Sequence, residues 1–424
     1  MDAHLIEHNI DAIRDHFPGL KRTCAGQRVV FFDNPAGTQV PSSVAQRMLD
    51  TLLYHNSNLG GVFETSLDAS ALVADAHRAA ELLVNAPVPG EVFFGQSMTA
   101  ITFSLSRAMA AEFQPGDEII LSRMDHDANV APWLMLAKDL GLVVRWLDFS
   151  TDTFEFDLAD LGALLNPRTR LVAVCYASNI SGTINDIASV SRMAHSAGAL
   201  VYVDAVQFAP HGLIDVQALG CDLLVCSAYK FFGPHYAFCW ARRELLERLG
   251  AYKVRAAPEE LPWKFTSGTV SREALAGIHA AIEHMANLCD LWDDSLVNSG
   301  LRAKLGCSFD AMVAYSDHLA AHLLQGLQSL KGVRVLGITD PNALARRVAT
   351  VSFVVEGLTP DAIARTMAAA GIQLWSGHNY AVEAHRKLGL LDSGGAVRIG
   401  LVHYNTLAEI DRALNQLEAL VATS

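Results

Sequence analysis

The chain has 424 residues, of which 51% are hydrophobic and 18% are charged, and its formal net charge is -13 at pH 7. This composition is typical of a compact globular protein and excludes a disordered chain. The negative charge argues against nucleic acid or an acidic membrane surface as the main partner. We expect no membrane span and no signal peptide, and therefore a cytoplasmic protein with a large and a smaller domain.

The first predicted element is a short amphipathic helix that ends near Pro18. From about residue 92 to 241, continuous apolar runs alternate with helical segments such as 185–199. Strands that are buried on both faces and joined by helices indicate an α/β fold with a mostly parallel sheet. The strands predicted in this part of the chain are 117–122, 142–148, 171–176, 200–204 and 222–227.

After about residue 270 the pattern changes. Helices are predicted at 273–290 and 309–331, and a smaller α+β unit follows them, with a last helix from Thr406. We expect three parts: an N-terminal segment that packs on the small domain, a large ligand-binding domain with a sheet of about seven strands, and a small C-terminal domain. Their predicted boundaries are 1–28, 29–290 and 291–424.

The seven cysteines form no CxxC pair, and several lie inside apolar runs. Most are therefore predicted to be buried core residues of a protein in a reducing compartment. No cysteine and histidine spacing is typical of a zinc site, so no metal is expected.

Polar residues cluster where the predicted strands of the large domain end. Ligands of open parallel sheets bind beyond the carboxyl ends of the strands, so these side chains are predicted to form one site. The principal members are Gln96, Ser97, His126, Asn179, Asp204, Gln207, Ser227, Tyr229 and Lys230.

The residue types in this cluster favour one cofactor. A lysine that loses its proton can form a Schiff base, and an aspartate such as Asp204 can keep a heteroaromatic nitrogen protonated. The turn at 95–97 starts a helix and offers N–H groups to a phosphate, while His126 can stack on a flat ring. Each feature alone has an ordinary structural explanation, but together they indicate pyridoxal 5'-phosphate.

The stretches "VYVDAVQ" (201–207) and "CDLLVCSAYKFFGP" (221–234) resemble the pyridoxal-phosphate signature of the class V aminotransferases. The resemblance is to the cysteine desulfurase and selenocysteine lyase group and covers nearly the whole chain. It implies the fold type I architecture of pyridoxal-phosphate-dependent transferases, an amino acid substrate and a homodimer with shared active sites. Further matching stretches are 29–41, 125–133, 178–183, 265–269 and 396–406.

The resemblance also implies roles for single residues. Lys230 forms the Schiff base, Asp204 pairs with the ring nitrogen, Gln207 contacts the phenolic oxygen and His126 stacks on the ring. Ser97 and Ser227 hold the phosphate with Gln96 and Tyr229 nearby, and Thr269 reaches the phosphate of the neighbouring subunit. The residues implied at the substrate are Asn179, Arg398 as carboxylate clamp, His378, Tyr380, Asn56 and Asn58.

The stretch "WSGHNYA" (375–381) departs from the desulfurase pattern, which has an arginine at its start and a catalytic cysteine near its end. Here Trp375 and Tyr380 stand at those two positions, and the last cysteine of the chain is Cys307. A persulfide needs a thiolate, so we predict that the protein is not a cysteine desulfurase by the usual route. Tyr380 is either a substrate-gating or acid residue, or it fills the space left by a missing mobile loop.

The sequence leaves the reaction open. Lys230 can remove the Cα proton of a bound amino acid. A leaving group on Cβ then gives a β-eliminating C–S lyase, which is our first hypothesis. The alternatives are an aminotransferase, an epimerase, another specialised biosynthetic enzyme, and a cofactor-binding scaffold in sulfur metabolism that has no turnover.

Overall fold

The computed structural model describes residues 3–24 and 26–422. Within these residues the strands are β1 (Thr23–Cys24), β2 (Gln27–Arg28), β3 (Val30–Phe31), β4 (Val92–Gly95), β5 (Glu118–Ser122), β6 (Val143–Leu147), β7 (Thr169–Cys175), β8 (Leu200–Asp204), β9 (Leu223–Ser227), β10 (Ala237–Ala241), β11 (Val333–Leu336), β12 (Thr350–Val355), β13 (Ile372–Gln373), β14 (Trp375–Gly377) and β15 (Ala396–Gly400). The α-helices are α1 (His4–His8), α2 (Ile10–Asp15), α3 (Ser42–Tyr54), α4 (Glu64–Val84), α5 (Met98–Ala108), α6 (Ala131–Leu140), α7 (Leu158–Leu164), α8 (Ile187–Ser196), α9 (Val216–Leu219), α10 (Arg243–Arg248), α11 (Arg272–Asn287), α12 (Leu301–Ser329), α13 (Pro360–Ala369), α14 (Val382–Lys387) and α15 (Leu407–Ala422).

The larger sheet has seven strands in the order β4-β10-β9-β8-β7-β5-β6. Only β10 is antiparallel to its neighbours, β4 and β9. Alternate residues of one strand enter two separate apolar clusters, since Val201 and Val203 belong to one and Tyr202 to the other. The sheet is therefore covered on both faces, which confirms the predicted α/β architecture.

The smaller sheet is antiparallel, with the order β11-β12-β15-β14, and α12, α13 and α15 pack near it. The N-terminal segment contacts this unit, because α1 packs on α12 and Arg14 forms a 2.8 Å ion pair with Glu409. β3 pairs with β13 in register Val30 to Ile372. Residues 30–31 thus join the small unit, although the sequence prediction assigned them to the large domain.

Two helices differ from their predicted limits. The N-terminal helix is interrupted at Asn9, whose side-chain amide donates to the carbonyl of Leu5. α12 begins eight residues before the predicted start at 309, and in this added part Ser308 donates to the carbonyl of Ala286. Contacts with α11 therefore accompany this added part of the helix. Among the described residues, no helix combines the length and apolarity that crossing a membrane requires.

Candidate active site

A cavity of about 640 Å³ lies at the carboxyl ends of β7, β8 and β9, and its far wall comes from the small unit. Its size falls in the range of cofactor and small-ligand sites. The predicted site residues that line it are Ser97, His126, Asn179, Asp204, Gln207, Ser227, Tyr229, Lys230, His378, Tyr380 and Arg398.

Lys230 ends a single 3-10 turn, Ala228–Lys230, that directly follows β9. Its Nζ donates a hydrogen bond to the carbonyl oxygen of Pro35. Burial, and to a smaller extent the nearby Arg398, lower the pKa of Lys230 to about 7, while Asp204 opposes the shift. A large fraction of Lys230 is therefore neutral near pH 7, which is the form that can act as a nucleophile or a base.

Asp204 is the last residue of β8, and its Oδ1 accepts the N–H of Val206 at 2.9 Å. Burial raises the pKa of Asp204 to about 6, while that hydrogen bond and Lys230 lower it. A buried carboxylate with so few partners is stabilised by a cationic ligand atom.

A second buried carboxylate, Asp125, lies behind Asp204. It accepts hydrogen bonds from the Asn129 side chain at 2.6 Å, from the Cys175 N–H at 3.1 Å and from Ser122. Burial, and to a smaller extent the charge of Asp204, raise the pKa of Asp125 to about 7, while its hydrogen bonds oppose the shift. Asp125 thus fixes the backbone from which His126 projects.

His126 is held as a neutral donor. Its Nδ1 accepts the N–H of Ala128 at 3.0 Å, so the ring proton lies on Nε2. Burial lowers the pKa of His126 to about 4, with Lys230 and Arg398 as further causes. The imidazole stacks on the Tyr380 ring at 5.3 Å between centroids and 27° between planes.

Arg398 lies in β15, is 5% exposed, and donates from Nη1 to the carbonyl of Asn179 at 2.9 Å. Its Nε and the Oδ1 of Asn179 have no partner within the described part of the chain. Burial lowers the pKa of Arg398 to about 10, so it remains a cation at neutral pH. A buried guanidinium with a free N–H group suits a bidentate carboxylate.

The end of the cavity next to the start of α5 is suited to bind a phosphate anion. Ser97 caps α5, with its Oγ accepting the N–H of Ala100 at 3.1 Å, and Ser227 is buried at the end of β9. The N–H groups that begin α5 therefore meet hydroxyl groups at one corner of the cavity. Gln207 lies nearby and donates to the hydroxyl of Thr350 at 2.8 Å.

Four predicted site residues do not line the cavity of this chain. Gln96 and Thr269 are exposed. Asn56 and Asn58 are exposed as well, and Arg272 donates to their side-chain oxygens at 3.2 and 3.4 Å. Within one chain these contacts hold the two asparagines away from the substrate position, and the roles of all four residues stay predictions.

The segment 375–381 forms the wall of the cavity at its mouth. Asn379 and Tyr380 have left-handed backbone angles, φ 48° and 58°, which side chains other than glycine seldom adopt. Hydrogen bonds from other segments support this conformation: the Asn179 side chain donates to the carbonyl of Asn379 at 2.9 Å, and the Asp127 N–H donates to the carbonyl of Tyr380 at 2.7 Å. The segment is thus a fixed wall.

The sequence analysis missed several lining residues, because they are apolar or contribute backbone atoms. Pro35 offers its carbonyl to Lys230, and Trp375 was discussed only as a departure from a motif. The stretch 29–41 carried a signal for Pro35, since it was singled out as a matching stretch. The others missed are Ala36, Met98, Thr99, Ala128, Cys175, Ala177, Val206, Ser376, Gly377 and Asn379.

The donor set fits pyridoxal 5'-phosphate. Asp204 offers a buried carboxylate to a protonated ring nitrogen, Lys230 offers a neutral amine to an aldehyde, and the start of α5 offers donors to a phosphate. The unpaired Nε of Arg398 offers a donor to the carboxylate of an amino acid. Within the described residues, no cluster of three or more histidine, cysteine or acidic side chains could hold a metal ion.

Comparisons with known proteins identify a family and a fold that this chain resembles. The family model described as "Aminotransferase class-V" matches residues 30–291 and 297–413. The "Aminotransferase-like protein FGM3" of Gibberella zeae is 32% identical, over 97% of this chain and 98% of that protein. A "Probable cysteine desulfurase" of Synechocystis sp. is 31% identical, over 96% of this chain and 95% of that protein. The solved structure of the cysteine desulfurase CsdA from Escherichia coli matches with a TM-score of 0.82 and 25% identity, covering 98% of this chain and 99% of that one.

Proposed function

Since the chain belongs to the aminotransferase class-V family, we propose that it breaks a carbon–sulfur bond of an amino acid by β-elimination. Family membership confirms three predictions: the fold type I architecture, the pyridoxal phosphate cofactor, and an enzyme rather than a scaffold. The products of the proposed reaction are a thiol, pyruvate and ammonia, with one water consumed.

One observation carries the proposal: the cavity holds a lysine that can take up and release a proton near pH 7. Lys230, with its pKa near 7, can take the Cα proton, and the ammonium formed in this way can give a proton to the departing sulfur. When bound, pyridoxal phosphate withdraws electrons from Cα and makes that proton acidic. A β-elimination needs both proton transfers.

Arg398 orients the substrate in this proposal. Its guanidinium would bind the α-carboxylate through the unpaired Nε and one Nη group, and Asn179 would add its free Oδ1 for the amino group. Because Asn179 also donates to the carbonyl of Asn379, it connects substrate binding to the wall at 375–381. Ser97 and Ser227 would hold the phosphate, and Asp204 the ring nitrogen.

The cysteine that lines the cavity does not favour sulfur transfer. Burial, together with Asp125 and Asp204, holds the pKa of the Cys175 thiol well above its usual range. Its thiolate, the form that accepts sulfur, is therefore scarce. Tyr380 stands in the wall where the desulfurase pattern has its cysteine. Both facts support elimination without a persulfide.

We also propose that the enzyme is a homodimer. α3 carries three exposed leucines, Leu49, Leu52 and Leu53, at 46%, 47% and 61% exposure. A second copy would cover this apolar face. In such a dimer, Thr269 and the loop with Asn56 and Asn58 would be free to serve the partner's site. Sedimentation analysis of the purified protein, which should give twice the chain mass, tests the dimer.

The test of the reaction uses the holoenzyme and a panel of cysteine S-conjugates. We expect pyruvate and free thiol in equal amounts, while the visible absorption band of the lysine-bound cofactor persists through many turnovers. A stoichiometric loss of that band, reversed by a keto acid, would instead establish transamination. Exchange of the Cα hydrogen with deuterium from solvent, without pyruvate, would establish epimerisation. Cysteine as substrate, with a trapped persulfide, would disprove the proposed route.

A further inference from the structure

Two exposed aromatic side chains lie at the mouth of the cavity. Among the described residues, the aromatic side chains with large exposure are Tyr54, Phe63, Tyr252, Trp375 and Tyr380. Trp375 is 50% exposed and Tyr380 is 65% exposed, and these two line the cavity. Exposed aromatic rings at the rim of a binding site indicate a ligand group that covers them.

The register of the small sheet places Trp375 beside the carboxylate clamp. Trp375 on β14 is the direct partner of Arg398 on β15. Directly opposite residues of an antiparallel pair share one face of the sheet, with their Cβ atoms about 5 Å apart. A ligand whose carboxylate binds Arg398 therefore has the indole next to it.

Tyr380 continues this apolar wall. Its ring lies on the His126 imidazole, and its backbone is held by the Asp127 N–H, so the ring has a fixed place. Within the lining of the cavity, the lysine and arginine side chains are Lys230 and Arg398, and neither is exposed. The mouth thus presents the two exposed rings, together with His378, to the side chain of a bound amino acid.

From this arrangement, we propose that the enzyme selects amino acids whose side chain ends in an aromatic or bulky apolar group, held against Trp375 and Tyr380. The inference rests on the proposed function in one respect, since it takes the ligand to be an amino acid bound through Arg398. For the proposed elimination, the substrate class is then a cysteine S-conjugate with an aryl, benzyl or large alkyl substituent on sulfur.

Two unreactive ligands separate binding preference from elimination. L-2-amino-5-phenylpentanoate has the shape of S-benzylcysteine with carbon in place of sulfur, and L-norvaline lacks only its phenyl ring. Neither has a leaving group on Cβ. Titration of the holoenzyme, followed by the change in the cofactor's absorption spectrum, gives an apparent Kd for each. We expect the phenyl ligand to bind about tenfold to a hundredfold more tightly.

Substitutions test which residues cause the tighter binding of the phenyl ligand. Trp375→Ala and Tyr380→Ala should each reduce the affinity ratio of the two ligands several-fold, mainly by weakening the phenyl ligand. Tyr252→Ala removes a ring that is 66% exposed and lies outside the cavity, and it should leave the ratio unchanged. Trp375→Phe keeps an aromatic face and should restore most of the ratio, even if the alanine variant folds poorly.

The outcomes are distinct. Equal affinity for the two ligands, or a preference that survives in both alanine variants, overturns the inference. The preference can hold while S-benzylcysteine yields no pyruvate, and then the inference stands but the proposed elimination fails. If pyruvate forms equally well from S-methylcysteine and S-benzylcysteine and the Kd values are equal, elimination stands and the selectivity is refuted.

Discussion

The two ends of the cavity differ in origin, in burial and in chemistry. The inner end is built on strand ends of the large sheet, with Asp204 at 6% exposure and neutral His126 beside it. The mouth is built on the small unit, from a segment whose Trp375 and Tyr380 are at least half exposed. At the inner end, burial shifts the pKa values that the chemistry needs, whereas at the mouth exposed rings offer surface to a ligand.

The two ends of the cavity therefore contribute different properties to the enzyme. Desolvation changes the acidity of Lys230 and Asp204 because both are removed from water, so the inner end determines the reaction class. The contribution of the mouth is contact area. Substitutions at the inner end should therefore reduce turnover, while substitutions at the mouth should change the choice of substrate.

The largest effect is expected for Lys230→Ala. Without the amine there is neither attachment of the cofactor nor a base at Cα, so kcat should fall by at least about a thousandfold and the lysine-bound absorption band should vanish. Steady-state kinetics and a visible spectrum test this. Lys138→Ala, on an exposed face of α6, is the matched control and should behave as the wild type. Turnover above one tenth of wild type in Lys230→Ala would place the chemistry elsewhere.

Arg398→Ala should raise KM by about thirtyfold to a thousandfold, because a buried charge-assisted pair with the substrate carboxylate is lost. The effect on kcat should be smaller, which marks a binding residue. Arg365→Ala removes an exposed guanidinium paired with Asp361 and is the control. An unchanged KM in Arg398→Ala would show that the carboxylate binds at another position.

The pH dependence of cofactor uptake by the apoenzyme should report the lowered pKa of Lys230. Only the neutral amine attacks the aldehyde, so the uptake rate should rise up to pH about 7 and then level off, whereas a lysine at its ordinary value of 10.5 would give a rate that still rises at pH 9. Asp204 raises the pKa of Lys230, so Asp204→Asn should move the midpoint to lower pH. Stopped-flow absorbance measures both. A midpoint above pH 9 would show that burial does not control this lysine.

The smallest effect is expected for Tyr380→Phe, which keeps the ring on His126 and removes only the hydroxyl. If Tyr380 acts as a wall, kcat and KM for an S-conjugate should change by less than about threefold, since no hydrogen bond to the hydroxyl is lost. A loss above tenfold in kcat would assign the phenol an acid role. Tyr380→Cys should not produce sulfur transfer from cysteine, because Trp375 still replaces the arginine of the desulfurase pattern.

The sequence was most informative where the local residue pattern and the tertiary structure indicate the same element. Continuous apolar runs predicted β5 to β9 to within about two residues. Four of these strands are mostly buried, as such runs indicate, whereas the edge strand β6 has only Leu147 buried. The polar residues after them were predicted to meet at one edge, and Asp204, Ser227 and Lys230 do line one cavity. Polarity alone could not show that Gln96, Asn56 and Asn58 lie outside the cavity lining of one chain, because in the sequence they resemble the polar residues that do line it.

By itself, the sequence determined the fold class, the cofactor and the residue types at the inner end of the cavity. These follow from hydrophobic periodicity and from rare residue types at strand ends. Tertiary structure alone decided the acidity of Lys230, His126 and Asp204, the pairing of Trp375 with Arg398, and the fixed position of Tyr380. Desolvation and cross-strand register depend on which distant segments are brought into contact, and residue order along the chain does not contain that information locally.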